Sequence, residues 1–189
     1  MTLKIGQKAP DFKVNDQDGK QVSLSNFKGK KIVLYFYPKD QTPGCTAEAC
    51  NLRDNYKLLQ KKGYVVLGVS TDSEKSHQKF IEKQSLPFQL LADTEKEIHT
   101  KYGTWVEKSM YGRKYMGTAR VTFIIDEKGK IEEIIEKVNT KNHTEQILSD
   151  GAAAIVKPSK KPARKTVTKK GPSKKVVRKV AKKATKKKK

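Results

Sequence analysis

An α/β sandwich built on a central mixed β-sheet is the fold class this sequence predicts, and three observations carry it. Between residues 31 and 103, apolar runs of strand length take turns with segments of helical spacing, the alternation that layers helices against a sheet. The region that follows closes as a hairpin, which adds antiparallel strands and makes the sheet mixed. No Gly-rich phosphate loop follows the first long apolar run, so a flavodoxin-like alternative with a bound nucleotide gains no support.

The elements follow in order. "FKVNDQDGKQVSL" (12–24) turns at Asp18-Gly19 and predicts an N-terminal β-hairpin. "KIVLYFYP" (31–38) is a buried-strand run. "CTAEACNLRDNYKLLQKKG" (45–63) has helical spacing and a Gly stop, and "YVVLGVS" (64–70) is a second buried strand. "SEKSHQKFIEKQ" (73–84) predicts a helix, "FQLLAD" (88–93) a short strand, and "TEKEIHTKYG" (94–103) a helix ended by Gly. "RVTFIID" (120–126) and "KIEEIIEKV" (130–138) face each other across the "EKGK" turn as a hairpin, with a helix near 143–156.

Composition divides the 189 residues in two. Residues 157–189 hold 15 Lys and 2 Arg, no Asp or Glu and no aromatic residue, so 17 of the net 22 positive charges lie there. The remaining 25 basic and 20 acidic residues give 1–156 a net charge of only +5. The expectation is one globular domain, 1–156, followed by a disordered lysine-rich tail, 157–189. "MTLKIGQKAP" has no apolar signal region and no stretch is long enough to cross a bilayer, which predicts a cytoplasmic protein, or a nuclear one in a eukaryote, without a membrane partner.

Both cysteines of the chain fall in "PKDQTPGCTAEAC" (38–50). In a reducing compartment, two neighbouring thiols point to catalytic, redox or metal chemistry rather than a structural staple. Cys45 stands where a strand has ended and a helix begins, after Pro43 and Gly44, which resist regular structure. Free amides and the helix dipole there favour the thiolate, the reactive form, whereas a structural Cys more often sits mid-strand or on an apolar helix face. Positions i and i+5 of a helix lie roughly 8.6 Å apart at Cα, from the rise and turn per residue. A disulfide needs about 4.4 to 6.8 Å. Cys45 and Cys50 therefore cannot be bonded while the helix is intact, unlike a C-x-x-C pair. Two Cys without a nearby His pair make a poor zinc site. His77, His99 and His143 are scattered and read as surface or capping residues.

With these residues in view, the sequence resembles the peroxiredoxins, and within them the bacterioferritin comigratory protein or Q-type group, over nearly all of 3–150. The active-site pattern P-x-x-x-T-x-x-C stands as Pro38, Thr42 and Cys45 in "PKDQTPGC", and the group's second cysteine as Cys50. "GQKAPDF" (6–12), "STDSEKSHQKF" (70–80), "LPFQLLAD" (86–93), "WVEKSMYG" (105–112) and "YMGTARVTFIID" (115–126) match in order and spacing. The resemblance implies a thioredoxin-like fold and a peroxidase needing no metal, haem or flavin. It implies that the Cys45 thiolate attacks the O–O bond of hydrogen peroxide or an organic hydroperoxide and becomes a sulfenic acid. Arg120 would support the thiolate and polarise the peroxide, Thr42 would direct its hydroxyl at the peroxide oxygens, and Pro38 would shield the site. The Gly44 and Cys45 amides would serve as further donors, and Glu48 either orients Arg120 or is an exposed helix glutamate. Cys50 would resolve the sulfenic acid as an intramolecular disulfide, reduced in turn by a thioredoxin-like dithiol. The group is often monomeric.

The tail is what the family does not normally carry. It resembles the lysine-rich tails of linker histones and bacterial histone-like proteins, which implies non-specific binding of DNA or RNA phosphates through Lys160, Lys161, Arg164, Lys165, Lys169, Lys170, Lys174, Lys175, Arg178, Lys179, Lys182 and Lys183. In a bacterium this would associate the protein with the nucleoid. A solvated polycation without a partner is the plainer reading. The opposite extreme is a protein that chiefly binds nucleic acid and merely retains a peroxiredoxin scaffold; the intact Pro38, Thr42, Cys45 and Arg120 set argues for the enzyme.

Overall fold

The computed structural model describes residues 3–110 and 112–149, with the backbone alone for Met110. The chain runs through β1 (Lys13–Asn15), β2 (Gln21–Ser23), a 3-10 turn (Leu24–Phe27), β3 (Lys31–Phe36), α1 (Pro43–Asp54), α2 (Tyr56–Lys61), β4 (Tyr64–Ser70) and α3 (Glu74–Gln84). It continues through β5 (Gln89–Ala92), α4 (Glu97–Lys101), β6 (Trp105–Met110), β7 (Arg113–Thr118), β8 (Val121–Ile125), β9 (Ile131–Ile135) and α5 (His143–Leu148). The expected domain boundary after Val156, the lysine-rich tail and the end of the helix expected over 143–156 lie outside the described residues.

The central sheet is mixed, in the order β5-β4-β3-β8-β9. β3 pairs parallel with β4 and antiparallel with β8, β4 pairs parallel with β5, and β8 pairs antiparallel with β9. β1 and β2 form the expected N-terminal hairpin, its turn made by Gly19 at φ +74°, a conformation costly to residues with a Cβ.

β3 reads as a continuous apolar run because both of its faces are covered. Ile32, Leu34 and Phe36 pack on one side with Phe123, Ile98 and Tyr102. Val33, Tyr35 and Tyr37 pack on the other with Cys45, Ala49 and Leu52 of α1. At roughly 25 cal/mol per Å² of apolar area, these two layers supply most of the drive for folding. The N-terminal end of α1, which carries Cys45, thus lies directly over the sheet.

Two expectations are revised. The helix expected over 45–63 is two helices, broken at Asn55. There the Asn55 side chain donates to the Asn51 carbonyl at 2.9 Å, and the Asn55 amide reaches the same carbonyl at 3.3 Å, so side chain and main chain compete for one acceptor. Pro43 and Gly44 also belong to α1, because Pro at the first helical position lacks only an N–H that has no helical partner anyway. The β6–β7 hairpin carries no alternation in the sequence. Most of β7 is exposed, so no buried face imposes a period of two.

Candidate active site

α1 begins where the loop after β3 is tied down. Asp40 is buried, accepts from Tyr37 Oη at 2.8 Å and Ser76 Oγ at 2.7 Å, lies 2.9 Å from His77 Nδ1, and its amide donates to Asp72 at 2.8 Å. The active-site loop 38–42 is thereby fixed to the β4–α3 junction. Thr42 is the N-cap residue of α1, and the first intrahelical bond runs from Thr46 N to Thr42 O at 2.8 Å. The Gly44 and Cys45 amides precede that bond and have no intrahelical carbonyl, which leaves them aimed out of the helix start.

Cys45 is buried with a free thiol. Arg120, in the short segment between β7 and β8, donates from Nη2 to Cys45 Sγ at 3.2 Å and from Nη1 to Glu48 Oε2. Glu48 is fully buried, which decides its two readings in favour of the residue that orients Arg120. Burial disfavours the guanidinium's charge, but Glu48 and the Cys45 sulfur outweigh it and hold the Arg120 pKa above its ordinary value. Gly44 faces the guanidinium: a Cβ there would stand 3.4 Å from Arg120 Nη2, in contact with it.

The structure brings Cys45, Arg120 and Glu48 into direct contact, with Thr42 heading the same helix and Pro38 half-buried at the end of β3. The Thr42 hydroxyl donates to the Lys39 carbonyl at 3.0 Å. Cys50 lies further along α1, half-buried, with its thiol donating to Gln84 Oε1 at 3.5 Å. Both thiols are free and stand on an unbroken helix, as the i, i+5 argument requires.

The surface reading of the three histidines is wrong: His77, His99 and His143 are all fully buried, each beside a carboxylate. His99 Nδ1 is 2.5 Å from Asp93 and its Nε2 is 3.0 Å from Thr118 Oγ1. His143 Nε2 is 3.0 Å from Thr122 Oγ1, and its Nδ1 is 3.2 Å from Glu48 Oε1. Thr118 and Thr122 flank Arg120 two residues to either side. Lys108 was also missed. It donates to the Thr118 carbonyl, and burial, then Arg120, push its pKa below the ordinary value although Cys45 opposes this. The partners of His77 and His143 are remote in the chain, and burial of the Asp93–His99 pair depends on what packs over it, so no local signal marked these residues.

The sequence profile described as the AhpC/TSA family matches residues 5–134. Peroxiredoxin Bcp of Bacillus subtilis is 47% identical over 148 residues, 78% of this chain and 94% of that protein. Peroxiredoxin Bcp of Escherichia coli is 46% identical over 147 residues, again 78% and 94%. Among solved structures, the bacterioferritin comigratory protein of Xanthomonas campestris, studied for alkyl peroxide reduction, superposes with a TM-score of 0.71 at 33% identity, over 77% of this chain and 93% of that one. A mutant of Xylella fastidiosa PrxQ gives 0.73 at 30% identity, over 78% and 94%. The expected thioredoxin-like fold, with its mixed sheet and flanking helices, is therefore the one this chain adopts. By sequence, fold and the thiol that fold buries under an arginine, the chain belongs to the AhpC/TSA family, among its Bcp peroxiredoxins, and is a thiol-dependent peroxidase.

Proposed function

We propose that Cys45 is the thiol that meets the peroxide, and the observation that carries this is the 3.2 Å contact from Arg120 Nη2 to Cys45 Sγ at the first turn of α1. The Cys45 thiolate attacks one oxygen of R–O–O–H. The S–O bond forms as the O–O bond breaks, and the leaving alkoxide or hydroxide takes a proton to depart as alcohol or water. Arg120 and the Gly44 and Cys45 amides present positive charge to the peroxide oxygens. Thr42 turns its hydroxyl from Lys39 to the bound peroxide, and Pro38 limits water at the mouth of the site. Cys50 then attacks the Cys45 sulfenic sulfur and water leaves, giving an intramolecular disulfide that a thioredoxin-like dithiol reduces, itself becoming the disulfide. The first turns of α1 unwind for this step, since roughly 8.6 Å between Cα atoms exceeds disulfide reach. The protein works as a monomer in the cytoplasm.

NADPH consumption coupled through thioredoxin and its reductase, with hydrogen peroxide and an organic hydroperoxide, tests this. Cys45→Ser should abolish turnover, because a hydroxyl offers almost no nucleophilic anion. Cys50→Ser should consume one equivalent of peroxide, fail to cycle and over-oxidise sooner. A wild-type rate in either variant, or oxidised protein lacking a Cys45–Cys50 disulfide by mass spectrometry, overturns the assignment.

The charge of 157–189 supports a second role, tethering the peroxidase to nucleic acid through phosphates. Binding should be indifferent to sequence. With about half of the 17 basic residues engaged, log affinity should fall with log salt at a slope near −7 to −8, from about −0.9 per phosphate. Truncation after Val156 should abolish binding in gel-shift and filter assays and leave peroxidase rates unchanged. Equal binding by the truncated protein, or none by either form near physiological salt, defeats the tether.

A further inference from the structure

We infer that His143 is a positioning residue for the Arg120 guanidinium, acting through Glu48; this rests on the reading of Cys45 as the reacting thiol. Five groups form one continuous chain. Thr122 Oγ1 is 3.0 Å from His143 Nε2, His143 Nδ1 is 3.2 Å from Glu48 Oε1, Glu48 Oε2 accepts from Arg120 Nη1, and Arg120 Nη2 donates to Cys45 Sγ. Because Thr122 and Arg120 lie two residues apart, the chain closes on itself through the backbone entering β8.

The buried carboxylate gives His143 its task. Glu48 is fully buried, and Arg120 satisfies only one of its oxygens. The other, Oε1, makes no hydrogen bond among the described residues, and neither does His143 Nδ1. The two atoms stand at ion-pair distance but off the line that a hydrogen bond requires. Each unpaired buried group is costly, and a small ring rotation pairs both at once. That pairing places the proton on Nδ1, because a lone pair there would face carboxylate lone pairs in a dry site. Thr122 then donates to Nε2. The Tyr35 ring also meets the imidazole edge-on, with centroids 6.4 Å apart, while Arg120 and Cys45 connect to it through Glu48.

Holding Oε1 fixes the carboxylate plane, so Glu48 presents a single oxygen to Arg120 and the second guanidinium nitrogen is left for the sulfur. Without this hold, the carboxylate is free to take both arms of the guanidinium fork, the geometry such pairs favour, and to draw Nη2 from Cys45. The Asp93–His99–Thr118 group has the same composition, but its carboxylate is taken by His99 rather than by Arg120. Only the His143 group reaches the catalytic cation.

Two substitutions separate positioning from packing. His143→Asn keeps an amide near the Nδ1 position and can still hold Glu48; His143→Gln places its amide near Nε2, reaching Thr122 but not Glu48. The readout is the second-order rate of Cys45 oxidation by hydrogen peroxide in full-length protein, with urea midpoints measured alongside. His143→Gln should slow oxidation about tenfold, the loss of one good charged contact in the transition state, and His143→Asn should recover most of it. Should His143→Gln fail to fold, Thr122→Val removes the hydroxyl that donates to Nε2 and is expected to slow the same step. Wild-type rates in all variants, or equal slowing in Asn and Gln that tracks their loss of stability, overturn the inference. Cys45→Ser is the control: if it still turns over, the reading of the thiol has failed and not the role of His143.

Discussion

At Arg120 the demands of stability and chemistry meet in one side chain, and they can be separated. Arg120→Met should abolish peroxidase activity and also cost about 3 kcal/mol, because it strands the buried Glu48 carboxylate. Adding Glu48→Gln should return most of that stability in urea unfolding while activity stays lost. If the double variant is no more stable than Arg120→Met, the pair is not coupled in the way its geometry implies. Gly68 is a second decisive position. A Cβ there would lie 2.6 Å from Leu90 Cδ2 and 2.7 Å from Tyr35 Oη, so Gly68→Ala should cost about 1–3 kcal/mol by overpacking. Tyr35 Oη is buried with no hydrogen-bond partner among the described residues. Tyr35→Phe should therefore leave stability unchanged or raise it, and should soften the Gly68→Ala penalty; a clear loss of stability in Tyr35→Phe would show that the hydroxyl has a partner.

At the level of elements, α1 is anchored to the rest of the fold on either side of the Cys45–Cys50 span. Asp40 ties the loop before it to α3. Asn51 accepts from Thr144 N at 2.8 Å and donates to the Lys141 carbonyl at 2.7 Å, and Arg53 donates to the Gln84 carbonyl at 2.6 Å. The Cys45-to-Cys50 span lies between these anchors, so unwinding for a disulfide should stop short of Asn51. Hydrogen exchange on oxidised protein should show faster exchange over residues 43–50 and little change over 51–54. Loss of protection along the whole helix would contradict this. The helix start was legible because Pro43 and Gly44 leave a local mark. The break at Asn55 and the β6–β7 hairpin were not, because one rests on a side chain competing for a carbonyl and the other on strands without a buried face.

Across the molecule, three carboxylate–histidine pairs are buried; Asp40–His77 and Glu48–His143 join segments distant in the chain, Asp93–His99 spans only six residues, and the two aspartate pairs set an acid window. Burial works to raise the Asp40 and Asp93 pKa values, but contacts to His77 and His99 outweigh it and hold both below the ordinary 3.8. A depressed carboxyl contributes fully above its unfolded value and loses that contribution as pH falls through its folded one. Stability from this source should thus be complete above about pH 4 and decline below it, and Asp40→Asn or Asp93→Asn should flatten that acid limb in urea titrations; an unchanged limb would remove these carboxyls from the account. The sequence by itself determined the alternating α/β order, the N-terminal hairpin and the thiol at a helix start, since each is written in neighbouring residues or in a recurring spacing, while the Pro38, Thr42, Cys45 and Arg120 set was legible only through the family resemblance. Tertiary structure alone decided that Glu48 is buried under Arg120, that all three histidines are interior, and that His143 reaches the site. Those contacts join α1, β8 and α5 across the folded sheet, and burial is a property of what covers a residue rather than of the residue itself.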